Sequence, residues 1–290
     1  MNITNKYGLP EPVYNVLAQH LYNPGDSEFS VTTLLKPPRM VQLERRYQDQ
    51  LETDVVDLIW SVLGSGVHTL LEGGADNSAL VEQRLYLDVD GVKVGGQVDH
   101  YHKEMLTDYK VTSAWTLVYG SRVEEWESQA NLYATLLRAN GYPVSKLQIC
   151  AILRDFSEQK AKESSDYPKA PVQMIPLKLW AGSDAMSFLK DRVRLHKEAE
   201  QLPDNALPPC LAEEMWESPT TFAVKKEGRK RAIAIHETES GAYAHLKNLR
   251  RSAKKGEKFF VERRPGTRKR CSDYCPVADF CNQWKEFCSD

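Results

Sequence analysis

The sequence predicts an α/β protein with a mixed sheet, and three observations predict it. Apolar residues recur at helical spacing from Asp54 to Leu71, three strand-like segments follow with short turns between them, and a helical stretch then leads into an apolar strand. The order helix, three strands, helix, strand (αβββαβ) lets a sheet bury one face against helices. At 290 residues and 33.0 kDa the chain is long enough for one substantial core and a smaller appended unit.

Residues 1–50 read as an N-terminal helical and loop region. A short amphipathic stretch (Val13 to Tyr22) precedes the loop NPGDSEFSVTTLLKPPR, where Ser30 or Thr32 can start a short helix that Pro37 and Pro38 interrupt. Residues 51–155 hold the core. Its first helix aligns Val55, Leu58, Ile59, Val62, Leu63, Val67, Leu70 and Leu71, places His68 near its end, and stops at Gly73-Gly74. VEQRLYLDVD alternates as a strand, Gly91 offers a turn, and KVGGQVDHYH with MLTDYKV completes a meander. From about Val123 to Asn140 a helix carries Trp126, Leu132, Leu136 and Leu137 on one side. Gly141-Tyr142-Pro143 ends it before the strand Lys146 to Leu153. Residues 156–205 read as a polar loop and an amphipathic helix, Gly182 to Glu200, packed on the core. Residues 206–290 follow the Pro-rich break LPDNALPP and form a basic region ending in a cysteine cluster.

Several classes are set aside on composition. No run of about 18 apolar residues is seen, so no transmembrane helix and no membrane partner are expected. The first residues lack a basic segment followed by an apolar one, so a cytoplasmic location is expected. There is no Gly-x-x-x-x-Gly-Lys phosphate loop, hence no recognisable ATP motor, and no internal repeat. The net charge of −2 conceals an asymmetry: Lys225 to Arg270 holds 16 Lys/Arg against 5 Glu, a local excess of 11 on an otherwise acidic chain. One basic cluster reads as a solvated face; three in one segment (Arg229 to Arg231, Arg250 to Lys255, Arg263 to Arg270) favour a polyanion, with nucleic acid foremost.

The chemistry concentrates in GQVDHYHKEMLTDYKVTSAW. Asp99 lies late in one strand and Asp108 late in the next, so adjacent antiparallel strands can bring both carboxylates to one sheet edge around a hard cation. Lys110, two residues on, points to the same face. Two carboxylates and an ammonium so placed suit phosphodiester hydrolysis. Alone, the pattern is weak, because an acidic hairpin produces it by chance. Its context strengthens it: His68 on the preceding helix is a candidate third ligand, and Gln129 and Tyr133 share one face of the following helix.

These residues resemble the PD-(D/E)XK nuclease superfamily, in particular its RecB-like branch, which includes stand-alone CRISPR-associated and phage exonucleases. The motifs of that branch read here as Gly64-Ser-Gly-Val-His68, Gly96-Gln-Val-Asp99, Asp108-Tyr-Lys110 and Gln129-Ala-Asn-Leu-Tyr133, in order, over about residues 64 to 133. The resemblance implies a restriction-endonuclease-like core, and magnesium or manganese bound by His68, Asp99, Asp108 and the Tyr109 carbonyl. It makes Lys110 the catalytic lysine and has Gln129 and Tyr133 position the DNA strand. Glu72 and Glu82 are weaker candidates, read as surface carboxylates. The chain departs from the family at Val98, where the nominal motif has proline.

Of six cysteines, Cys150 lies in an apolar strand and Cys210 follows two prolines, while Cys271, Cys275, Cys281 and Cys288 crowd the last 20 residues. Thiolates at Cys-x3-Cys-x5-Cys spacing hold zinc or an iron–sulfur cluster, and spacing alone barely separates the two. In the RecB-like branch a C-terminal triplet and one distant cysteine hold a 4Fe–4S cluster, which the resemblance favours here over Zn2+. The fourth ligand is then Cys210 or Cys288. Cys210 is preferred because it reproduces the one-plus-three layout, and Cys288 lies close to a terminus that can fray.

The activity expected is that of a metal-dependent DNA exonuclease on single-stranded or end-bearing DNA, in recombination, repair or phage DNA metabolism. A separate helicase or recombination protein would be its partner. The competing expectation is a non-catalytic DNA-binding or adaptor protein that keeps the fold and the cysteine cluster as scaffold. A small zinc-ribbon regulator would explain the C-terminus but leaves residues 50 to 150 without a role.

Overall fold

The computed structural model describes residues 2–19 and 25–289. The chain divides into two compact units, Met1–Leu207 and Pro208–Asp290. The first unit runs β1 (Asn2–Thr4), α1 (Glu11–Gln19), β2 (Phe29–Ser30), α2 (Val31–Leu34), α3 (Pro38–Arg46) and β3 (Glu52–Asp54). A 3-10 turn leads into α4 (Ile59–Glu72), and β4 (Leu80–Val89), β5 (Val92–His102) and β6 (Met105–Thr112) follow. Then come α5 (Ala114–Tyr119), α6 (Val123–Ala139), β7 (Lys146–Leu153), α7 (Glu158–Glu163), β8 (Val172–Leu177) and α8 (Gly182–Glu200). The end of the expected amphipathic stretch, residues 20–22, lies outside the described residues, and α1 covers its start.

The fold is mixed α/β on a mixed six-stranded sheet. Its order is β2-β5-β6-β7-β8, with β4 also paired to β5. β4 and β5 form a hairpin whose two-residue loop, Asp90-Gly91, has both φ angles positive (53° and 85°), the twist-matched turn for a right-handed ribbon. Lys103-Glu104 closes the β5–β6 hairpin in the same way without a glycine, at φ 48° and 60°. β6 and β7 are parallel, so α5 and α6 form the crossover between them. The core places Trp126, Leu132, Leu136 and Leu137 of α6 with Val94, Val98, Leu106, Ile149 and Leu189 of the sheet and α8.

Three features depart from the sequence reading. The N-terminal region supplies β2, which pairs in parallel with β5 (Phe29 with Val94), and residues 156–205 supply β8, which pairs with β7. Both regions therefore extend the core sheet, so residues 1–207 make one unit rather than three segments. Ser30 caps α2, its hydroxyl accepting the Thr33 amide, and α3 starts at Pro38, where a missing amide hydrogen costs nothing. Third, Val55–Glu72 is long and apolar enough to span a membrane by length and composition, with 6% of that window buried. Asp57, His68 and several Ser, Gly and Thr residues interrupt the window, so it holds no unbroken run of about 18 apolar residues, and a single helix of this kind is weak evidence for a membrane span.

The second unit runs α9 (Ala212–Met215), β9 (Glu217–Ser218), β10 (Thr221–Lys226), β11 (Ala234–His236), α10 (Glu239–Arg251), β12 (Phe259–Arg264), β13 (Thr267–Arg268), α11 (Lys269–Asp273) and α12 (Asn282–Ser289). Three antiparallel strands, β11-β10-β12, carry α10 on one face. Val224, Ala242 and Leu246 are buried there, and Phe222, Leu249, Phe259 and Val261 pack around them.

Candidate metal centre

Strand register builds the site. β5 and β6 pair only at His100–Thr107, Tyr101–Leu106 and His102–Met105. The next positions in that register are Asp99 and Asp108, where the ladder ends and the strands part. In place of a ladder bond, the Tyr109 amide donates to Asp99 Oδ2 at 2.7 Å. Both carboxylates are buried, Asp99 at 8% exposure and Asp108 at 3%. Lys110 Nζ stands 2.6 Å from Asp108 Oδ2. The partner seen at that buried oxygen is thus a positive charge.

α4 brings His68 over this edge. Its Nε2 faces the Tyr109 carbonyl oxygen at 3.2 Å, and its Nδ1 faces Glu82 Oε1 at 3.1 Å and Asp99 Oδ1 at 3.6 Å. One ligand atom each from His68, Glu82 and Asp99 lies within 4.8 Å of the other two. Glu82 is thus no surface carboxylate, which corrects the sequence reading. It is half-buried, accepts Gln97 Nε2 at 2.6 Å through its second oxygen, and has a φ of 47° inside a strand. A non-glycine residue in that region is strained by about 1 kcal/mol or more, which the surrounding pairing must offset. In the β4–β5 register Glu82 faces Asp99, between the pairs Val81–His100 and Gln83–Val98. Glu72 is exposed as the last residue of α4 and takes no part in the group.

The charges interact strongly. Burial, then the charge of Asp108, pushes the Asp99 carboxyl up to about 7, against the opposing pull of His68 and Lys110. His68 is raised by its hydrogen bond to Glu82, with Asp99 adding to the effect against burial. Burial would raise Glu82, but hydrogen bonds from His68 and Gln97 hold it below the usual range. With an acceptor at each ring nitrogen, the surroundings favour the imidazolium form of His68.

Gln129 and Tyr133 lie one turn apart on α6. Tyr133 is buried, and a Cβ at Gly96 would meet its ring at 2.7 Å and Leu136 at 2.8 Å. Gly96 therefore lets α6 approach β5, and Gln129 Nε2 donates to the Tyr133 hydroxyl at 3.1 Å. Tyr133 thus packs against the strand that carries Asp99, and Gln129 is half-buried beside its hydroxyl.

No family model matches the sequence, and no curated protein matches it. A solved structure described as "Crystal structure of SSO0001" aligns with 63% of this chain and 84% of its own, at 16% identity and a TM-score of 0.44. At that level the likeness carries no argument.

The predicted cysteine ligands all fall in the second unit. No disulfide forms among the described cysteines. Burial, then the neighbouring Cys275 and Cys281, pushes the Cys271 thiol up to about 11, so these three sulfurs share one neighbourhood. Gln283 accepts the Cys210 amide at 2.9 Å and donates to the Cys210 carbonyl at 3.0 Å, which pins Cys210 beside the helix that follows Cys281. Cys288 is exposed near the far end of that helix, and Cys150 is half-buried in β7 of the other unit.

Proposed function

We propose that the chain is a divalent-metal-dependent deoxyribonuclease of the PD-(D/E)XK, RecB-like kind, acting as an exonuclease on single-stranded or end-bearing DNA. One observation carries the reading: His68, Glu82 and Asp99 converge within 4.8 Å at a parted strand edge that also holds Asp108 and Lys110. The donors are imidazole, carboxylate and carbonyl oxygen, a set suited to magnesium or manganese. Two further details fit a cation. The separation of His68 Nε2 from the Tyr109 oxygen, 3.2 Å, is close to the roughly 3 Å between neighbouring ligands at about 2.1 Å from an octahedral ion. Asp108 Oδ2 is a buried carboxylate oxygen whose partner seen here is the Lys110 ammonium, so its surroundings already favour positive charge.

A cation held there would polarise a phosphoryl oxygen and acidify a bound water. The residues do the rest. Asp99 and Asp108 repel each other, His68 and Lys110 offset part of that repulsion, and a cation would offset more. Glu82 retains the Nδ1 proton of His68, so the Nε2 proton is the one a ligand role displaces. Asp108 anchors Lys110, whose ammonium offsets negative charge building on the phosphate. In the second unit, Cys271, Cys275 and Cys281 share one neighbourhood and would, with Cys210, supply the thiolates for a 4Fe–4S cluster, with Zn2+ as the alternative, and the basic segment from Lys225 to Arg270 supports a polyanion partner.

The test is digestion of end-labelled and circular DNA with magnesium or manganese. Lys110→Met is expected to lose about 100- to 1000-fold in turnover, the scale of removing one transition-state charge partner. Full activity in purified Lys110→Met or Asp108→Ala would sink the mechanism. Salt-sensitive DNA binding with no cleavage under any divalent metal would favour an adaptor instead.

A further inference from the structure

We propose that exposed aromatic side chains beside the ends of β6 and β7 form a platform that stacks unpaired bases of the strand entering the metal centre. It rests on the nuclease reading and specifies its substrate as a strand with unstacked bases. Trp60 on α4 is 55% exposed, and Trp115 and Tyr119 on α5 are 39% and 74% exposed. Each group carries a cation. The Arg154 guanidinium lies 4.1 Å from the Trp60 ring centre, and Lys160 Nζ lies 4.8 Å from that of Trp115. The Trp115 and Tyr119 rings are stacked at 21°, with centres 5.9 Å apart.

Backbone and side-chain bonds place the residues that carry these groups at the end of the strand that bears the proposed catalytic lysine. The Arg154 amide donates to the Thr112 carbonyl at 3.0 Å. The next residue, Asp155, accepts the Ser113 hydroxyl and the Ala114 amide, both at 2.6 Å, which fixes the start of α5. Arg154, the partner of Trp60, is therefore adjacent in sequence to the residue that anchors α5. Thr112 is two residues beyond Lys110 on β6, about 7 Å at the rise of a strand, or roughly two base steps of about 3.4 Å. A phosphodiester at Lys110 would thus leave neighbouring bases within reach of the rings.

The chemistry separates occupants. Flat rings interleaved with cations are what single-stranded nucleic acid uses, because every base offers a π face and every linkage a negative charge. A hydrocarbon or apolar protein surface would have to desolvate Arg154 and Lys160. A duplex hides its base faces. Ile59, Leu63 and Leu70 are also exposed on α4, so a membrane surface is the occupant the experiment must exclude.

The test measures binding of labelled oligo(dT) to the full chain with Ca2+ in place of magnesium, so that affinity is read without cleavage. Trp60→Ala and the pair Trp115→Ala/Tyr119→Ala are each expected to weaken binding about tenfold, within the range of lost base stacking. Trp60→Phe should restore most of the loss. Abasic spacers in the oligomer should weaken the wild type equally, and the two losses should not add. Unchanged affinity in the variants, additive losses, or an equal loss on blunt duplex would overturn the platform. So would variants that lose binding to phosphatidylglycerol vesicles while keeping their affinity for oligo(dT). If a variant fails to fold, the wild-type comparison still decides, because equal affinity for abasic and normal oligomers refutes stacking. Hydrolysis of the p-nitrophenyl ester of thymidine 5′-phosphate by the wild type with manganese tests the nuclease reading separately.

Discussion

In the first unit, His68, Glu82 and Asp99 are carried by a four-turn helix and two paired strands, over a core that includes Leu106, Leu132, Leu136, Ile149 and Leu189. In the second, Cys271 sits on a five-residue helix, Cys275 in a loop, and Cys281 where a 3-10 turn ends, and the buried apolar residues described in that unit include Met215, Ala223, Val224, Ala242, Leu246 and Val277. The first arrangement holds its ligand atoms in place before any ion arrives: strand register and a strained Glu82 have already fixed them. The second buries fewer and smaller apolar side chains than the first, so packing alone contributes less to its order. On the proposed reading, a metal would be a reagent for the first unit and a structural element for the second.

The sharpest way to break this contrast is to remove one thiolate. Cys275→Ser should strip amide-exchange protection from residues 208–290 while leaving β5, β6 and β7 protected, because binding energy on the order of 10 kcal/mol can belong to folding in a small metal-organised unit. Chelating magnesium or manganese should leave protection in both units almost unchanged. Equal loss in the two units after Cys275→Ser, or none in either, would erase the distinction. The same comparison with Cys210→Ser and Cys288→Ser identifies the fourth ligand, since Gln283 holds Cys210 and nothing comparable is seen at Cys288 among the described residues.

The contrast also explains what the sequence could and could not disclose. α4, α6, α8 and the β4–β6 meander were legible because each is long enough for its period to show, and α8 spans Gly182–Glu200 as expected. Asp99, Asp108 and Lys110 were legible because alternation and a two-residue turn determine register. α5 was missed: six residues are too few to show a helical period. β2 is two residues long, and β8 contains Pro176, which suits an edge strand and disguises it. Glu82 needed its left-handed φ and its position across from Asp99, and no spacing rule encodes either. Tyr133 was placed on the correct helix face, but only the gap at Gly96 shows that this face points inward. In the second unit the strands mix basic and apolar residues, so TFAVKK has no clean alternation to read.

Acid should part the two units by a smaller amount. His196 of α8 is fully buried, with Nε2 at 3.1 Å from the Leu34 carbonyl, and burial with the nearby Arg192 charge pushes it down to about 4. Between about pH 6.5 and 4 the unfolded chain takes up a proton that the folded one refuses. Stability therefore falls as the pH drops through that window and levels off below it. The loss is about 3 kcal/mol at 1.36 kcal/mol per unit. Urea midpoints between pH 7 and 4 should fall for the wild type and fall less for His196→Gln, whose amide can still donate to Leu34. Parallel curves would place the acid sensitivity elsewhere.

The finest test returns to Glu82, because it asks whether the first site is set in place by its own residues. Glu82 faces His68 Nδ1 and leaves Nε2 toward the Tyr109 carbonyl, so it decides which nitrogen keeps its proton. Glu82→Gln keeps an acceptor but removes the charge. Manganese affinity at high pH should fall about 10- to 100-fold, as for other partners that orient a ligating histidine. The pH at which binding begins should move the opposite way. Glu82 raises the His68 pKa, so losing its charge lowers that pKa and lets a metal displace the proton at lower pH. A weaker plateau with an earlier onset is the signature of an orienting carboxylate. Glu82→Ala should show the same earlier onset with a deeper loss, since the ring would also be free to turn. If manganese titrations of both variants instead show weaker binding with no change in onset, Glu82 binds the ion directly, and the site is a five-residue cage rather than a histidine held from behind.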